Sequence, residues 1–241
     1  MSRLKRILVI GLLTGTILAT VLFFAQSVNA IRNEAGAQRP VSEAVSLNHR
    51  GEFLTRPNEG APIDIVQNYI SENHVELGLT EADVSNFVVA DMYTSQHNGV
   101  THIYLQQQHN DIGVYNGILN ANVMSDGRII NIGNRFVSDL ANTAVGTNPA
   151  ISAEAAVSEA ANSVGLAVSQ PLVVQEAVGG PTQAVVFSNG GISQNAIPVE
   201  LVYQPVSTGQ ARLAWDVTIY ELSAEHWWSI RVDAADGSIL S

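Results

Sequence analysis

Cysteine is absent from all 241 residues, and lysine occurs once, at Lys5. Without cysteine there is no disulfide framework, no thiol nucleophile and no thiolate metal ligand, so a packed core has to stabilise the fold. Beyond residue 30 the chain has eight arginines and all 22 of its acidic residues, a net charge of −14. Because binding to phosphate backbones requires clustered lysine and arginine, we expect no nucleic-acid partner.

The motifs of common hydrolases and nucleotide-binding proteins are also missing. The sequence has no His-Glu-x-x-His for zinc, no Gly-x-Ser-x-Gly for a nucleophilic serine and no Gly-x-x-x-x-Gly-Lys for phosphate. Gly179-Gly180 and Gly190-Gly191 lie between predicted strands, which indicates hairpin loops. We therefore predict no catalytic residue, no metal ligand and no cofactor, and we expect the chain not to be an enzyme.

One long apolar run stands near the start of the chain. Arg3, Lys5 and Arg6 precede an uncharged stretch from Ile7 to Phe24, and small residues lead up to Ala30. This order is typical of an export signal over residues 1–30, cleaved after Ala30, which predicts a secreted protein. The stretch is also long enough for an uncleaved membrane anchor through residues 7–24, and this alternative remains open.

The remainder contains two helix signals, each followed by strand signals. Residues 31–50 are polar, without a period, and predict a flexible arm. Apolar residues at helical spacing predict a helix over 62–77, followed by a capping-box-like pair, Thr80 and Asp83. A second helix is predicted to begin at Pro149 and Ser152 and to end at Gly165. β-Rich runs predict strands at 87–94, 100–107, 118–124, 129–132, 172–178, 184–187, 199–203, 213–222 and 227–232.

This order predicts an α+β fold made of two helix-on-antiparallel-sheet modules in tandem, at residues 51–140 and 149–241. Both modules close alike, with Asp126-Gly127 and Asp236-Gly237 turning the chain into a last apolar strand. The similarity suggests an internal duplication.

The histidines and loop carboxylates are the side chains that merit a test for chemistry. His97, His102 and His109 lie close in sequence, but their positions on a strand and its turn do not place all three on one face. Trp215 alternates with apolar strand residues, which favours core packing. The loop carboxylates stand where turn formation explains them, and they are Asp111, Asp126, Asp139, Asp233 and Asp236.

Two stretches carry a family resemblance. Residues 99–117 (GVTHIYLQQQHNDIGVYNG) and 120–123 (NANV) resemble the fungalysin/thermolysin propeptide (FTP) motif, with similarity over roughly 50–140. Residues 211–217 (ARLAWDV) and 228–240 (WSIRVDAADGSIL) look like the peptidase-associated PepSY module, with a PepSY/cystatin-like fold. Together these resemblances span nearly all of the chain after the predicted export signal.

The resemblance implies a non-catalytic prodomain of a secreted thermolysin-like zinc metallopeptidase, acting as its inhibitor and folding chaperone. The implied partner is the peptidase catalytic domain, either in cis in a longer reading frame or in trans. No zinc ligand transfers to this sequence, and the partner-binding residues are unknown. The alternative function is a membrane-anchored extracellular module that binds peptides or envelope components. A third reading, an independent hydrolase, lacks an identifiable set of catalytic residues.

Overall fold

The computed structural model describes residues 44–48 and 51–241. The predicted export signal and most of the predicted arm therefore lie outside the described residues. Within the arm, Val45–Leu47 form a short strand, β1, which pairs with a later strand through Leu47↔Ile132. Leu47 also packs against the core, so its burial explains why these three residues are extended.

Three helices and eleven strands follow one another along the described residues. The helices are α1 Pro62–Glu72, α2 Leu140–Thr143 and α3 Ala153–Ser163. The strands after β1 are β2 Phe87–Thr94, β3 Thr101–His109, β4 Ile112–Val123, β5 Ile129–Asn134, β6 Ala144–Val145, β7 Val174–Gly179, β8 Ala184–Phe187, β9 Ile197–Ser207, β10 Gln210–Tyr220 and β11 Trp227–Asp233. The strands predicted between 87 and 232 are present, whereas β1, β6 and α2 were not predicted. The last apolar strand predicted after Asp236-Gly237 is reduced to an isolated bridge between Val232 and Ile239.

The first helix is shorter than the prediction of 62–77. It begins with Pro62 and buries Ile65, Val66 and Ile70. At its end, the backbone N–H and the side-chain amide of Asn73 both donate to the Tyr69 carbonyl, at 3.0 and 2.8 Å, and so cap the last turn. The second predicted helix matches α3, where the Ser152 hydroxyl accepts from the Ala155 N–H at 3.1 Å.

The strands form one mixed sheet with two halves. β2, β3, β4, β5 and β1 are neighbours in that order and pair antiparallel. β7, β8, β9, β10 and β11 form the other antiparallel series, with β6 added in parallel to β10. The halves join where Val114 of β4 pairs in parallel with Tyr203 of β9.

β4 takes part in both hydrophobic cores because its backbone changes conformation midway. Asn116 has a φ of +56°, and the residues facing the cores are even-numbered before it and odd-numbered after it. Ile112 and Val114 join the core under α3, whereas residues 119–123 join the core under α1. Gly117 is required beside this kink, since a Cβ there would lie 2.8 Å from the Val114 Cβ.

The predicted turns before the final strand residues of each half are confirmed. Gly127 and Gly237 have φ angles of +80° and +79°, a region that glycine adopts without a steric penalty. At Gly127 the backbone is also close to a neighbour, because an added Cβ would lie 1.9 Å from the Asn58 carbonyl oxygen.

The α+β prediction holds only in part. Helices do pack on antiparallel strands, but the described chain is mostly β-sheet and its helix content is low. The strands of the two predicted modules also hydrogen-bond into one sheet through β4 and β9, where the prediction had two separate sheets. The domain boundaries at 51–140 and 149–241 and their PepSY/cystatin-like character remain predictions.

Residues 134–140, here called the linker, connect the two halves and are held by buried polar side chains. The Gln107 side chain bonds Val137 twice, donating to its carbonyl at 2.8 Å and accepting from its N–H at 2.7 Å. Asn134 donates to the Leu77 carbonyl at 3.1 Å and accepts from the Phe136 N–H at 2.9 Å. Both side chains are almost completely buried, so these bonds satisfy polar groups that water does not reach.

Asp83 completes the attachment of the linker. Its carboxylate accepts from the backbone N–H groups of Asp139 at 2.8 Å and Leu140 at 3.1 Å, and so caps α2 from a distant part of the chain. The same carboxylate accepts from the Thr80 N–H and hydroxyl, at 2.9 and 2.7 Å. The predicted Thr80/Asp83 capping pair is therefore present, but in a segment of turns.

We expect Asp83→Ala to lower the free energy of unfolding by about 2–4 kcal/mol, because it leaves the buried Leu140 N–H and the partly buried N–H groups of Thr80 and Asp139 without this acceptor. Urea unfolding followed by tryptophan fluorescence measures this loss. Glu81→Ala, two residues earlier and exposed, is the matched control and should change stability by less than about 0.5 kcal/mol. Equal effects of the two substitutions would contradict the role given to Asp83.

Candidate functional site

The three histidines predicted not to form a site lie in different environments. His97 is exposed in the β2–β3 turn, and His102 lies on β3, half-buried. His109 ends β3 and places its ring edge against Tyr203 of β9, with ring centroids 5.3 Å apart. Within residues 44–48 and 51–241, no three histidine or acidic side chains lie close enough together to hold a metal ion.

His102 is the centre of a polar chain that sequence reasoning missed. Its Nε2 lies 2.9 Å from the Ser95 hydroxyl and its Nδ1 lies 2.6 Å from the Asn122 side-chain oxygen. The Asn122 amide then donates to the Asn131 side-chain oxygen at 2.9 Å. The chain runs from the β2–β3 turn across β3 and β4 to β5, on the sheet face opposite α1. Polar residues inside predicted strands, at 102, 122 and 131, were the signal available in the sequence, and the strand register then brings them side by side.

The order serine, histidine, asparagine has the arrangement of a nucleophile, a base and an orienting group. Because Asn122 uses its amide as a donor to Asn131, its side-chain oxygen accepts from the His102 Nδ1–H. The same bonds also link β3, β4 and β5 with the β2–β3 turn, and the chain ends at Asn131, a second side-chain amide. We interpret the chain as a device that fixes strand register.

The loop aspartates mainly support local structure, as predicted from their positions. Asp126 accepts from the backbone and side chain of Arg128 within one turn. Asp236 accepts from the Ser238 N–H and hydroxyl. Asp111 and Asp139 have φ angles of +60° and +56°, which suits turns. Asp233 differs, because it is buried at the end of β11 and lies 2.8 Å from the Arg212 guanidinium.

A row of charged side chains crosses β9, β10 and β11 on the face opposite α3. Strand register places Glu200, Asp216 and Arg231 side by side. The nearest approach of Arg231 to Asp216 is 3.7 Å, longer than a hydrogen bond. The Arg231 guanidinium lies 4.0 Å from the ring centroid of Tyr115 and also donates to the hydroxyls of Ser229 and Ser241, at 2.6 and 2.8 Å. The charged residues inside predicted strands were the sequence signal for this row.

Burial makes this row unfavourable for negative charge. It raises the pKa of Glu200 to about 7, and the neighbouring Asp216 carboxylate adds to the rise. Burial also raises the pKa of Asp216, against the lowering effect of Arg231. Asp216 thus lies between Glu200 and Arg231, and the pKa of the Glu200 carboxyl lies near neutral pH.

The tryptophans divide between core and surface. Trp215 is buried and donates from its indole N–H to the Ile151 carbonyl at 3.1 Å, which confirms its predicted core role. Trp228 stacks on His226 with ring centroids 4.8 Å apart. The Trp228 indole N–H donates to the Glu221 carboxylate at 3.2 Å, and the His226 Nδ1 lies 3.1 Å from the same oxygen. Trp227 is more than half exposed beside Tyr220 at the β10–β11 hairpin.

A family model identifies the part of the sheet that carries the polar chain. Residues 85–136, which contain β2, β3, β4 and β5, match the Fungalysin/Thermolysin Propeptide Motif. The chain therefore carries an FTP motif. The predicted resemblance of residues 99–117 and 120–123 to this motif is confirmed.

Similarity to a peptidase extends beyond the FTP motif. The chain is 35% identical over 162 residues to extracellular metalloproteinase 2 of Phaeosphaeria nodorum, and the two are homologous. The alignment takes in 64% of this chain but 24% of the fungal protein, so the chain spans about a quarter of that relative's length.

Other comparisons add little to the FTP motif. The C-terminal domain of Bacillus megaterium YpeB aligns with 95% of this chain and 96% of its own length, at 10% identity and a TM-score of 0.31, which is too low to support a conclusion. The resemblance of residues 149–241 to a PepSY module remains a prediction. No helix among the described residues is both long and apolar enough to cross a membrane.

We expect His102→Leu to lower the free energy of unfolding by about 1–3 kcal/mol, because it removes two hydrogen bonds and leaves the Asn122 oxygen without its donor. Urea denaturation measures the change, with the exposed His97→Leu as the matched control. If His102→Leu proved as stable as the control, the polar chain would have no part in holding the FTP-motif sheet.

Glu200→Gln should stabilise the protein at high pH only. The native carboxyl group, with a pKa of about 7, binds its proton more tightly than the unfolded carboxyl group near 4.5, so native stability declines as pH rises through this range. Removing the charge should therefore raise the free energy of unfolding by about 2–3 kcal/mol at pH 8 and change it little at pH 4.5. Unfolding at both pH values, beside the exposed control Glu176→Gln, tests the sign.

Proposed function

We propose that this chain is the non-catalytic propeptide of a secreted thermolysin-like zinc metallopeptidase, and that it inhibits the catalytic domain and assists its folding. The observation that carries the proposal is the FTP motif over residues 85–136, which forms the β2–β5 sheet. Homology to an extracellular metalloproteinase supports the same partner class and a secreted location.

The character of the described surface is consistent with a role in binding. The side chains of the His102 chain and of Gln107 make hydrogen bonds that connect strands and hold the linker backbone. The net charge of −14 after residue 30 favours a partner surface that is less acidic or basic. A standard interface of this kind buries about 800 Å² on each partner.

Inhibition is tested by titrating residues 31–241 against two peptidases, thermolysin and the mature P. nodorum metalloproteinase, with a chromogenic peptide substrate. We expect inhibition that saturates near one molar equivalent, because a folded propeptide occupies one site on the catalytic domain. The chain denatured before addition is the control, since an unfolded polypeptide competes as a substrate.

Gel analysis of the same samples separates inhibition from competition. A propeptide remains largely intact while activity is suppressed, whereas a substrate disappears as activity returns. Suppression that follows cleavage of the chain, or that the denatured chain reproduces, would contradict inhibition. The chaperone role requires a separate measurement: the denatured catalytic domain should recover more activity when refolded with the native chain than with an equally acidic, unrelated protein.

A further inference from the structure

Strand β2 forms an exposed edge of the FTP-motif sheet. It pairs with β3 and with no other strand among the described residues. Four of its large apolar side chains are at least 40% exposed: Val88, Val89, Met92 and Tyr93. They are distributed over both faces, since Met92 pairs with Ile103 of the core face and Tyr93 contacts His102 on the opposite face.

The hydrogen-bond pattern shows which β2 peptide groups face outward. Bonds from the Gln108 N–H to the Asn86 carbonyl and from the Ser95 N–H to the Val100 carbonyl fix the bonded positions at both ends of the β2–β3 pair. Alternation along an antiparallel pair then directs the peptide groups of Met92 and Thr94 away from β3. The Thr94 and Thr101 hydroxyls lie 2.9 Å apart, in keeping with a closely spaced, non-hydrogen-bonded pair.

The other long edges of the sheet are better protected against strand addition than β2 is. The outer edge of β11 is covered by the end of the chain, through bonds between Arg231 and Leu240 and between Arg231 and Ser241. β7 has two register shifts and a central charge, Glu176, and Gly180 follows it. Such irregularities and charges are the usual protection against strand addition.

β2 has little of this protection. Between Phe87 and Thr94 there is no lysine, arginine or proline, and the only charge is Asp91. A single register shift at Ala90 leaves Asp91–Thr94 in regular pairing with β3. An edge of this kind in a secreted protein is expected either to aggregate or to bind another strand.

The charge of the chain argues against a second copy as the occupant. Two copies would each bring a net charge of −14 from residues 31–241. Antiparallel pairing of two β2 strands about their midpoint would also bring the two Asp91 carboxylates close together, and like charges across a pair are destabilising. A non-acidic strand avoids this charge repulsion. Apolar residues on it, placed beside Met92 and Tyr93, would cover the exposed side chains of β2.

We propose that the β2 edge binds an extended, non-acidic segment of the peptidase by adding it as a further antiparallel or parallel strand. This rests on the proposed function for the identity of the partner. The segment receives backbone hydrogen bonds at Met92 and Thr94 and buries the exposed apolar side chains of β2.

Proline at position 92 tests the backbone contribution. Proline removes an outward N–H that β3 does not use, so β2–β3 pairing keeps its hydrogen bonds. A carbonyl of the added strand, however, loses its donor, and the added strand meets the proline ring. We expect Met92→Pro to weaken inhibition of the two peptidases at least about tenfold. Met92→Ala, which keeps the N–H and removes the side chain, should weaken it less, by about threefold or under. Circular dichroism and thermal unfolding establish that both variants are folded.

Hydrogen exchange of the unmodified chain gives a measurement that does not depend on any variant's folding. In the complex, the amides of Met92 and Thr94 should exchange at least about tenfold more slowly than in the free chain. If the chain inhibits while these amides exchange as fast as before, the β2 proposal is overturned and the proposed function stands.

A synthetic strand distinguishes the two proposals if neither peptidase is inhibited. The probe is a blocked heptapeptide in which valine alternates with threonine or lysine, used at millimolar concentration. It should slow amide exchange at Met92 and Thr94. A control peptide with glutamate in place of lysine should slow this exchange less. Slowed exchange would support strand addition at β2 while the peptidase role fails. Unchanged exchange with both peptides and no inhibition would overturn both.

Discussion

The two hydrogen bonds between the Gln107 side chain and the Val137 backbone are the constraint on which the arrangement of the sheet depends. They hold the linker against β3, and Asp83 and Asn134 continue the attachment on either side. All three side chains are buried, so each lost bond would leave a polar group without water to replace it. The linker is thereby fixed at the place where the chain leaves one core and enters the other.

β4 provides the second connection between the cores. The positive φ at Asn116 changes which side chains face inward, so a single strand supplies Val114 to one core and Leu119 to the other. Its pairing with Tyr203 of β9 joins the two antiparallel series.

The polar interior of this protein serves structure more than chemistry. Ser95, His102 and Asn122 stand in an order known from hydrolases, yet their chain continues to Asn131 and joins strands. Glu200, which is mostly buried beside Asp216, makes stability depend on pH near neutrality. Both features place these polar side chains across neighbouring strands of the sheet.

The sequence alone determined most of the local elements and the presence of the FTP motif. Alternation located the strands, Pro62 and Ser152 marked helix starts, and Asp-Gly pairs marked turns, because these signals depend on neighbouring residues. Residues 99–117 were sufficient to indicate the FTP motif. Only the tertiary structure decided that the two predicted sheets are one, that Gln107 bonds Val137, and that Glu200, Asp216 and Arg231 are neighbours. Those contacts join residues 15 to 89 positions apart, and no local pattern specifies which distant strands become adjacent.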